Sequence, residues 1–128
     1  MIVDSSALVA ILREEPRSDR FTSAIESADR SALSAATYLE TSIVITEVLH
    51  PRLDELLDAM GTPVVPFDGD QAREARRAFA RYGRGSGTRA RLNFGDCFSY
   101  ALAKVRDEPL LFKGEDFTHI DVEPAYRP

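Results

Sequence analysis

The apolar residues of this chain occur in two alternating patterns, short continuous runs and stripes with helical spacing. The runs predict strands, and the stripes, which repeat at i, i+3, i+4 and i+7, predict helices with one buried face. Asn, Asp, Ser, Gly and Pro residues mark the boundaries between the two patterns. We expect strands near 1–3, 31–34, 63–67, 110–112 and 120–122, and helices near 5–15, 19–28, 35–49, 51–60, 68–82 and 94–105.

Strands that alternate with helices are typical of an α/β fold, in which helices flank a central parallel sheet in an α/β/α arrangement. The chain has 128 residues, enough for one hydrophobic core, so a single domain spanning 1–128 is expected. Ligands of such folds bind beyond the carboxyl ends of the strands. The acidic residues that follow the strands are therefore the first candidates for chemistry.

The helix predicted near 94–105 carries one such acid in its first turn. Asn93 is a favourable N-cap residue, and Asp96 follows it by three positions. An acid at this position has a purely local explanation, because it stabilises the helix dipole by roughly 0.3–1 kcal/mol. The functional explanation depends on other acids nearby. The apolar stripe that anchors the helix comprises Phe94, Cys97, Phe98, Ala101, Leu102 and Val105.

Two further acids are expected at the same edge of the sheet as Asp96. Asp4 ends the first predicted strand, and Asp116 comes just after the strand near 110–112. The carboxyl ends of parallel strands meet at one edge, where the following helices also begin. Three acids separated by most of the chain are therefore predicted to lie close together.

Glu40 is the fourth candidate acid. On the helix predicted near 35–49 it shares a largely apolar face with Ile43 and Val44. A glutamate on such a face is costly to bury unless another group pairs with it. A small rotation of the helix would instead make Glu40 an ordinary surface residue, and the residues alone leave both interpretations open.

Converging carboxylates repel one another, and a divalent cation relieves that repulsion. Sites built from carboxylate oxygens suit Mg²⁺ or Mn²⁺. Such an ion binds a phosphate oxygen and lowers the pKa of a bound water. The acids therefore indicate phosphodiester hydrolysis without a protein nucleophile.

Composition weakens the case for other chemistries. The single cysteine, Cys97, cannot form an internal disulfide or a zinc cluster, which favours a cytoplasmic protein. His50 and His119 lack metal-ligand spacing, and no Gly-rich phosphate-binding loop follows a strand. The acid at position 4 argues against a signal peptide, and no apolar run approaches the ~20 residues of a membrane span.

The net charge of −5 argues against a polyanionic partner, but the arginines are concentrated in one segment. Between Arg73 and Arg91 the only acid is Glu74. One interpretation is that half of these arginines merely solvate a helix face. The other is that the part of the segment nearest Asp96 binds nucleic-acid phosphates. The candidates are Arg81, Arg84, Arg89 and Arg91.

Four segments then carry a family resemblance: MIVDSSALVAIL at 1–12, SAATYLE at 34–40, NFGDCFSYALA at 93–103 and LFKGEDF at 111–117. In order and spacing they resemble the acidic motifs of PIN-domain ribonucleases and, more closely, the VapC toxins of bacterial toxin–antitoxin pairs. The resemblance covers essentially the whole chain. It implies a PIN-like α/β/α fold and a Mg²⁺- or Mn²⁺-dependent endoribonuclease.

The resemblance also assigns roles to residues. It implies that Asp4, Asp96 and Asp116 bind metal and that Glu40 completes the catalytic set. Ser6 matches a hydroxyl residue that supports the first aspartate. Either Asp116 or Asp121 matches the last acid. We prefer Asp116, because it lies in a turn directly after a strand, and give Asp121 a supporting role.

Partners are implied by the same resemblance. VapC toxins form homodimers with two active sites along one groove, and a small VapB-like antitoxin covers the acids. The apolar stripes at 8–12 and 53–60 are candidates for a dimer face or an antitoxin groove. Their alternative interpretation is ordinary core.

Two competing functions use the same acids. A metal-dependent nuclease could act on DNA or on a small phosphoester instead of RNA. Haloacid-type phosphatases need a second aspartate two residues after the first, and Ser6 stands there instead. A non-catalytic metal-binding or partner-binding module is the other alternative. The intact acid set favours an enzyme, because nothing else would preserve so costly a cluster.

Overall fold

A parallel sheet forms the centre of the molecule, which the computed structural model describes over residues 1–127. Its strands are β1 (Ile2–Val3), β2 (Leu33–Ser34), β3 (Val64–Val65) and β4 (Leu110–Leu111). β1 pairs with β4 and β2 with β3, each in parallel. A parallel bridge between Ile2 and Ala32 joins the two pairs, which gives the order β3-β2-β1-β4.

Six α-helices flank this sheet, so the predicted α/β/α fold is confirmed. They are α1 (Ser5–Leu12), α2 (Asp19–Ser27), α3 (Ala35–Ile45), α4 (His50–Ala59), α5 (Gly69–Tyr82) and α6 (Phe94–Arg106). A 3₁₀ turn, Glu47–Leu49, connects α3 to α4. No helix among residues 1–127 is long and apolar enough to cross a membrane. Pro128, the last residue of the predicted domain, lies outside the described residues.

Side chains with oxygen acceptors begin most of the helices that border the sheet edge. Asp4, Ser34, Asp68 and Asn93 each accept a hydrogen bond from a backbone N–H in the first turn of α1, α3, α5 and α6. These contacts satisfy donors that a helix start otherwise leaves unpaired. Asp4 is thus fixed twice, by the end of β1 and by the start of α1.

Successive strand residues point to opposite faces of the sheet and bury two apolar clusters. Val3, Leu33 and Leu111 belong to the cluster beneath α1, α2 and α4. Ile2 and Leu110 belong to the cluster beneath α5 and α6. The stripes at 8–12 and 53–60 lie in the first cluster, which confirms their interpretation as core and excludes them as the main docking face.

The helix predicted over 35–49 is wrong in its length and in its inward face. α3 ends at Ile45 because Thr46 adopts a positive φ of 72°, which an α-helix cannot continue. Its buried side chains include Thr37 and Thr41, whose hydroxyls are hydrogen-bonded. The apolar residues of the predicted helix face solvent instead. These are Leu39, Ile43, Val44 and Val48.

Two smaller predictions also fail. Residues 120–122 are not a strand: the segment around Pro124 pairs with Leu110 instead, so the sheet edge forms slightly later in the chain. In α6 the buried face is rotated toward Tyr100 and Ala103, and Phe94 is left 79% exposed at the first helical position.

Candidate active site

Asp4 lies at the centre of the sheet edge and is almost completely buried. Its Oδ2 accepts hydrogen bonds from the backbone N–H of Ser6 at 3.0 Å and from the Ser6 hydroxyl at 2.6 Å. Its Oδ1 accepts a third, of 2.6 Å, from the hydroxyl of Ser99 on α6. A buried carboxylate with three donors is held in one orientation.

Ser6 connects Asp4 to the neighbouring strand. While its hydroxyl donates to Asp4, its oxygen accepts a 3.0 Å hydrogen bond from the backbone N–H of Lys113, which follows β4. The position of Ser6 therefore agrees with the supporting role that the resemblance implies. The same bond ties the start of α1 to the turn that carries Asp116.

Asp96 lies at the start of α6 and is 8% exposed. Its side chain accepts a hydrogen bond from the backbone N–H of Asn93 at 2.9 Å, and the Asn93 side chain accepts one from the Asp96 N–H at 2.9 Å. This reciprocal capping box fixes the carboxylate against the helix start. Asp96 therefore does stabilise the start of its helix, as the local explanation expects.

The surroundings of Asp96 include the other candidate acids. Burial raises the pKa of its carboxyl group to about 7, against an opposing contribution from the Asn93 N–H. The negative charges of Asp4, Asp116 and Glu40 raise that pKa further. The structure thus brings all four predicted acids within electrostatic reach of one another.

Glu40 points from α3 toward this cluster. Its Oε1 accepts a 2.6 Å hydrogen bond from the hydroxyl of Ser5, which begins α1. Its carboxylate lies against Gly95, at the start of α6, where a Cβ would overlap Oε2 and would lie 2.8 Å from Cδ. Glu40 is half-buried between two helix starts, so the surface interpretation is wrong.

The two candidates for the last acid occupy different environments. Asp116 is exposed in the turn after β4, and its charge acts on Asp96. Asp121 accepts hydrogen bonds from the Tyr100 hydroxyl at 2.7 Å and from Lys104 Nζ at 3.2 Å. Desolvation opposes its charge, but these two donors lower the pKa of Asp121. Asp121 thus lies in an ion pair with Lys104, and the preference for Asp116 as the last acid stays a prediction.

The donor set fits a hard divalent cation. The carboxylates offer oxygen, and so do the side chains that hydrogen-bond to Glu40 and Asp4, which are the hydroxyls of Ser5, Ser6 and Ser99. Burial contributes most to the raised pKa of Asp96, and the neighbouring negative charges, which a cation would counter, add to it. Within residues 1–127, no three acidic, histidine or cysteine side chains form a ready-made ligand group.

Comparison with known proteins agrees with the fold. The PIN domain family model matches residues 1–123. The chain belongs to the PIN-domain family. Within it, the chain is 51% identical over 129 residues to ribonuclease VapC28 of Mycobacterium tuberculosis, covering 98% of this chain and 97% of VapC28.

Solved structures share the PIN fold at low sequence identity. A toxin–antitoxin complex from Klebsiella pneumoniae superposes with a TM-score of 0.72 at 16% identity, covering 99% of this chain and 98% of that one. Mycobacterium tuberculosis VapC20, a toxin that cleaves the sarcin–ricin loop, superposes with a TM-score of 0.70 at 16% identity, covering 96% and 98%. These likenesses support the fold alone.

The basic segment of this PIN domain divides into two parts. On α5, Arg73 pairs with Asp70 and Arg77 pairs with Glu74, as expected for a solvated helix face. Further along, the arginines are exposed and have no ion-pair partner among the described residues; these are Arg81, Arg84, Arg89 and Arg91. Arg81 lies in the last turn of α5, and the other three lie in the loop that leads to Asn93 and the capped start of α6.

Three contributors to the site escaped sequence reasoning. Ser5 and Ser99 donate to Glu40 and Asp4, and Gly95 leaves space for Glu40. Ser99 does carry a local signal, since it follows Asp96 by three positions and shares its helix face. Gly95 carries another, because glycine is unfavourable inside a helix unless contact demands it.

Proposed function

We propose that this VapC-type PIN domain is a divalent-metal endoribonuclease. The observation that carries the proposal is the convergence of carboxylates from distant parts of the chain on α6. Asp4 is hydrogen-bonded to Ser99, Glu40 lies against Gly95, and Asp96 caps the start of the helix. Asp4, Asp96 and Asp116 would hold the ion, and Mg²⁺ or Mn²⁺ suits their oxygens. When bound, the ion would supply a Lewis acid for the phosphate and a water of lowered pKa.

The side chains of this chain would perform the remaining tasks. Asp4 is held in one orientation by Ser6 and Ser99, which fixes its position relative to the other acids. Glu40, held at the rim by Ser5, is placed to orient the attacking water and to accept its proton. Burial of Asp4 and Asp96 keeps bulk water from these two carboxylates and strengthens their interactions.

The proposed substrate is RNA. Supporting this choice, VapC28 is named a ribonuclease, and the exposed arginines of the segment 81–91 directly precede Asn93 and Asp96 in the chain. Arginine binds phosphate with two parallel hydrogen bonds, which positions the backbone of a nucleic acid. The acids and the basic segment would together hold the scissile phosphate from two sides.

We also propose an antitoxin that covers the acids, and a homodimer. The Klebsiella structure is a toxin–antitoxin complex, which supports a protein partner of that kind. For the homodimer, we propose the exposed apolar side chains of α3 as the interface, because the stripes at 8–12 and 53–60 are buried in the core. Leu39 is 60% exposed and Ile43 is 70% exposed. An apolar helix face is suited to pack against its own copy about a two-fold axis.

The experiment that tests the function is RNA cleavage by purified protein with Mn²⁺ or Mg²⁺, and with EDTA. Asp96→Asn removes one charge of the cluster, and Asp58→Asn makes the same change at an exposed position on α4. Cleavage that requires metal, vanishes in Asp96→Asn and persists in Asp58→Asn supports the proposal. Equal cleavage by Asp96→Asn contradicts it, and preferential cleavage of single-stranded DNA would replace RNA as the substrate.

A further inference from the structure

A pocket of about 570 Å³ lies between α5 and α6, beside the start of α6. This volume falls within the roughly 300–1,000 Å³ that is usual for small-molecule sites. Asn93 lines the pocket and also forms the capping box with Asp96. One residue therefore belongs both to the pocket wall and to the support of a proposed metal ligand.

Aromatic rings form much of the pocket surface, and two of them face solvent. Phe94 is 79% exposed and Phe79 is 46% exposed. The Phe98 ring is held by edge-to-face contacts with Phe67 at 4.8 Å and with Phe94 at 4.9 Å between ring centroids. Phe79 packs over Gly83, where a Cβ would lie 2.8 Å from the ring. The rings are thus positioned by the fold although they are partly exposed.

The rim of the pocket is cationic. Arg76 and Arg84 both line it and are both exposed. Within the described part of the chain neither has an ion-pair partner, whereas Arg73 and Arg77 on the same helix do. An apolar aromatic floor with unpaired arginines at its edge is complementary to a nucleotide, whose base is flat and whose phosphate is anionic. A purely apolar peptide would leave the two guanidinium groups without a counter-charge.

We propose that this pocket binds one unpaired base of the RNA substrate next to the scissile phosphate. The inference rests on the proposed ribonuclease function and specifies its substrate as single-stranded or unstacked RNA. Unpaired bases stack on phenylalanine rings and arginine planes, whereas a base inside a duplex cannot reach them. Phe94 supplies the stacking surface, and Arg76 and Arg84 bind the adjacent phosphates.

The test uses a short single-stranded RNA of mixed sequence, together with versions that lack one base at each position in turn. Binding is measured in the Asp96→Asn background, which prevents cleavage. Phe94→Ala removes the ring, Phe94→Tyr keeps it, and Val105→Ala is a control for losing an exposed apolar side chain on the same helix. Because these side chains are exposed, the variants are expected to fold.

We expect Phe94→Ala to weaken RNA binding by about 10- to 100-fold, since stacking on one ring contributes that much. Phe94→Tyr and Val105→Ala are expected to bind like the parent protein. The salt dependence should stay unchanged in Phe94→Ala, because the phosphate contacts remain. For RNA that lacks the base at one particular position, the parent and Phe94→Ala should bind equally.

Three results would overturn the inference. One is unaltered RNA binding by Phe94→Ala. Another is that Phe94→Ala lowers the affinity equally for every abasic RNA. The third is a dimer that dissociates in Phe94→Ala during sedimentation while RNA binding persists, which would assign the pocket to a second copy of the chain. If the protein that retains Asp96 still cleaves RNA in a metal-dependent way, none of these three results contradicts the proposed ribonuclease function. Absence of any metal-dependent cleavage would overturn both proposals.

Discussion

Gly95 provides the space that the carboxylate of Glu40 occupies. A Cβ at position 95 would overlap Oε2 of Glu40 and would lie 2.8 Å from its Cδ. The glycine stands next to Asp96 in the first turn of α6, where its missing side chain allows a group from α3 to approach. The contact therefore couples the position of one proposed catalytic acid to the backbone that carries another.

Gly95→Ala should lower cleavage without unfolding the protein. The added methyl group must displace the end of the flexible Glu40 side chain, and a displacement of this size can reduce turnover by about 100-fold. Helix propensity favours alanine by roughly 0.5–1 kcal/mol, so thermal stability should not fall. Turnover under saturating RNA and the melting temperature are the two measurements.

Gly69→Ala is the matched control for this change. Gly69 is at the start of α5, and a Cβ there would meet only Arg73 atoms at an ordinary distance of 3.5 Å. It should cleave like the parent protein. Full activity of Gly95→Ala would show that the position of Glu40 is not important for the reaction.

The stability of the metal-free protein should fall as the pH rises from about 4 to about 7. The pKa of Asp96 is about 7 when folded, against an ordinary value of 3.8. Between these values the folded state holds a proton that the unfolded chain has lost, so the free energy of unfolding decreases with pH. The stabilisation is complete below about pH 4 and is lost above about pH 7.

Urea unfolding in EDTA at pH 5 and pH 8 measures this effect when the parent is compared with Asp96→Asn. The asparagine stays neutral, so its stability relative to the parent should rise by about 1–2 kcal/mol between the two pH values, after allowance for solvent screening. Asp58→Asn should show no such change, because Asp58 is exposed. A difference between parent and Asp96→Asn that is independent of pH would contradict the buried cluster.

The unpaired arginines should contribute to RNA binding more than the paired ones. Replacing Arg84 and Arg89 with alanine is expected to weaken binding and to reduce the slope of log K against log salt by about 1–2. The matched control replaces Arg73 and Arg77, which removes the same charge from residues already paired on α5. Equal salt slopes for both double variants would show that the segment 81–91 has no special role in binding RNA phosphates.

The exposed face of α3 should mediate self-association. Ile43→Glu places a charge in the centre of the apolar stripe and is expected to convert a dimer into a monomer in analytical ultracentrifugation. Val105→Glu introduces the same charge at an exposed apolar position of α6 and should leave the dimer intact. A dimer that survives Ile43→Glu would exclude this face.

Local signals were sufficient to predict part of the site. Asp4 follows an apolar run, and Asp96 follows a good N-cap, so the chain itself indicates where both acids lie. The fold class followed from alternating strands and helices. The inward face of α3 could not be predicted, because the buried Thr37 pairs its hydroxyl with Ser99 on another helix, and the buried Thr41 donates its hydroxyl to the Thr37 carbonyl.

The remaining differences also arise from contacts between distant segments. Thr46 adopts a positive φ that no local rule assigns to threonine. The last segment of the sheet lies around Pro124 and not at 120–122, because the backbone there pairs with Leu110. The bond from Ser99 to Asp4 joins residues 95 positions apart and exists only after α6 has packed on the sheet.

The most direct test of the central claim is the chemistry of the RNA ends formed in ¹⁸O-labelled water. Attack by a water held at the carboxylates forms a new P–O bond and breaks another, so one water oxygen remains on the terminal phosphate. We predict labelled phosphate ends with Mn²⁺ or Mg²⁺ and no products with EDTA or from Asp96→Asn. Unlabelled 2′,3′-cyclic phosphate ends, formed by attack of the neighbouring hydroxyl of RNA, would contradict the metal-bound water mechanism.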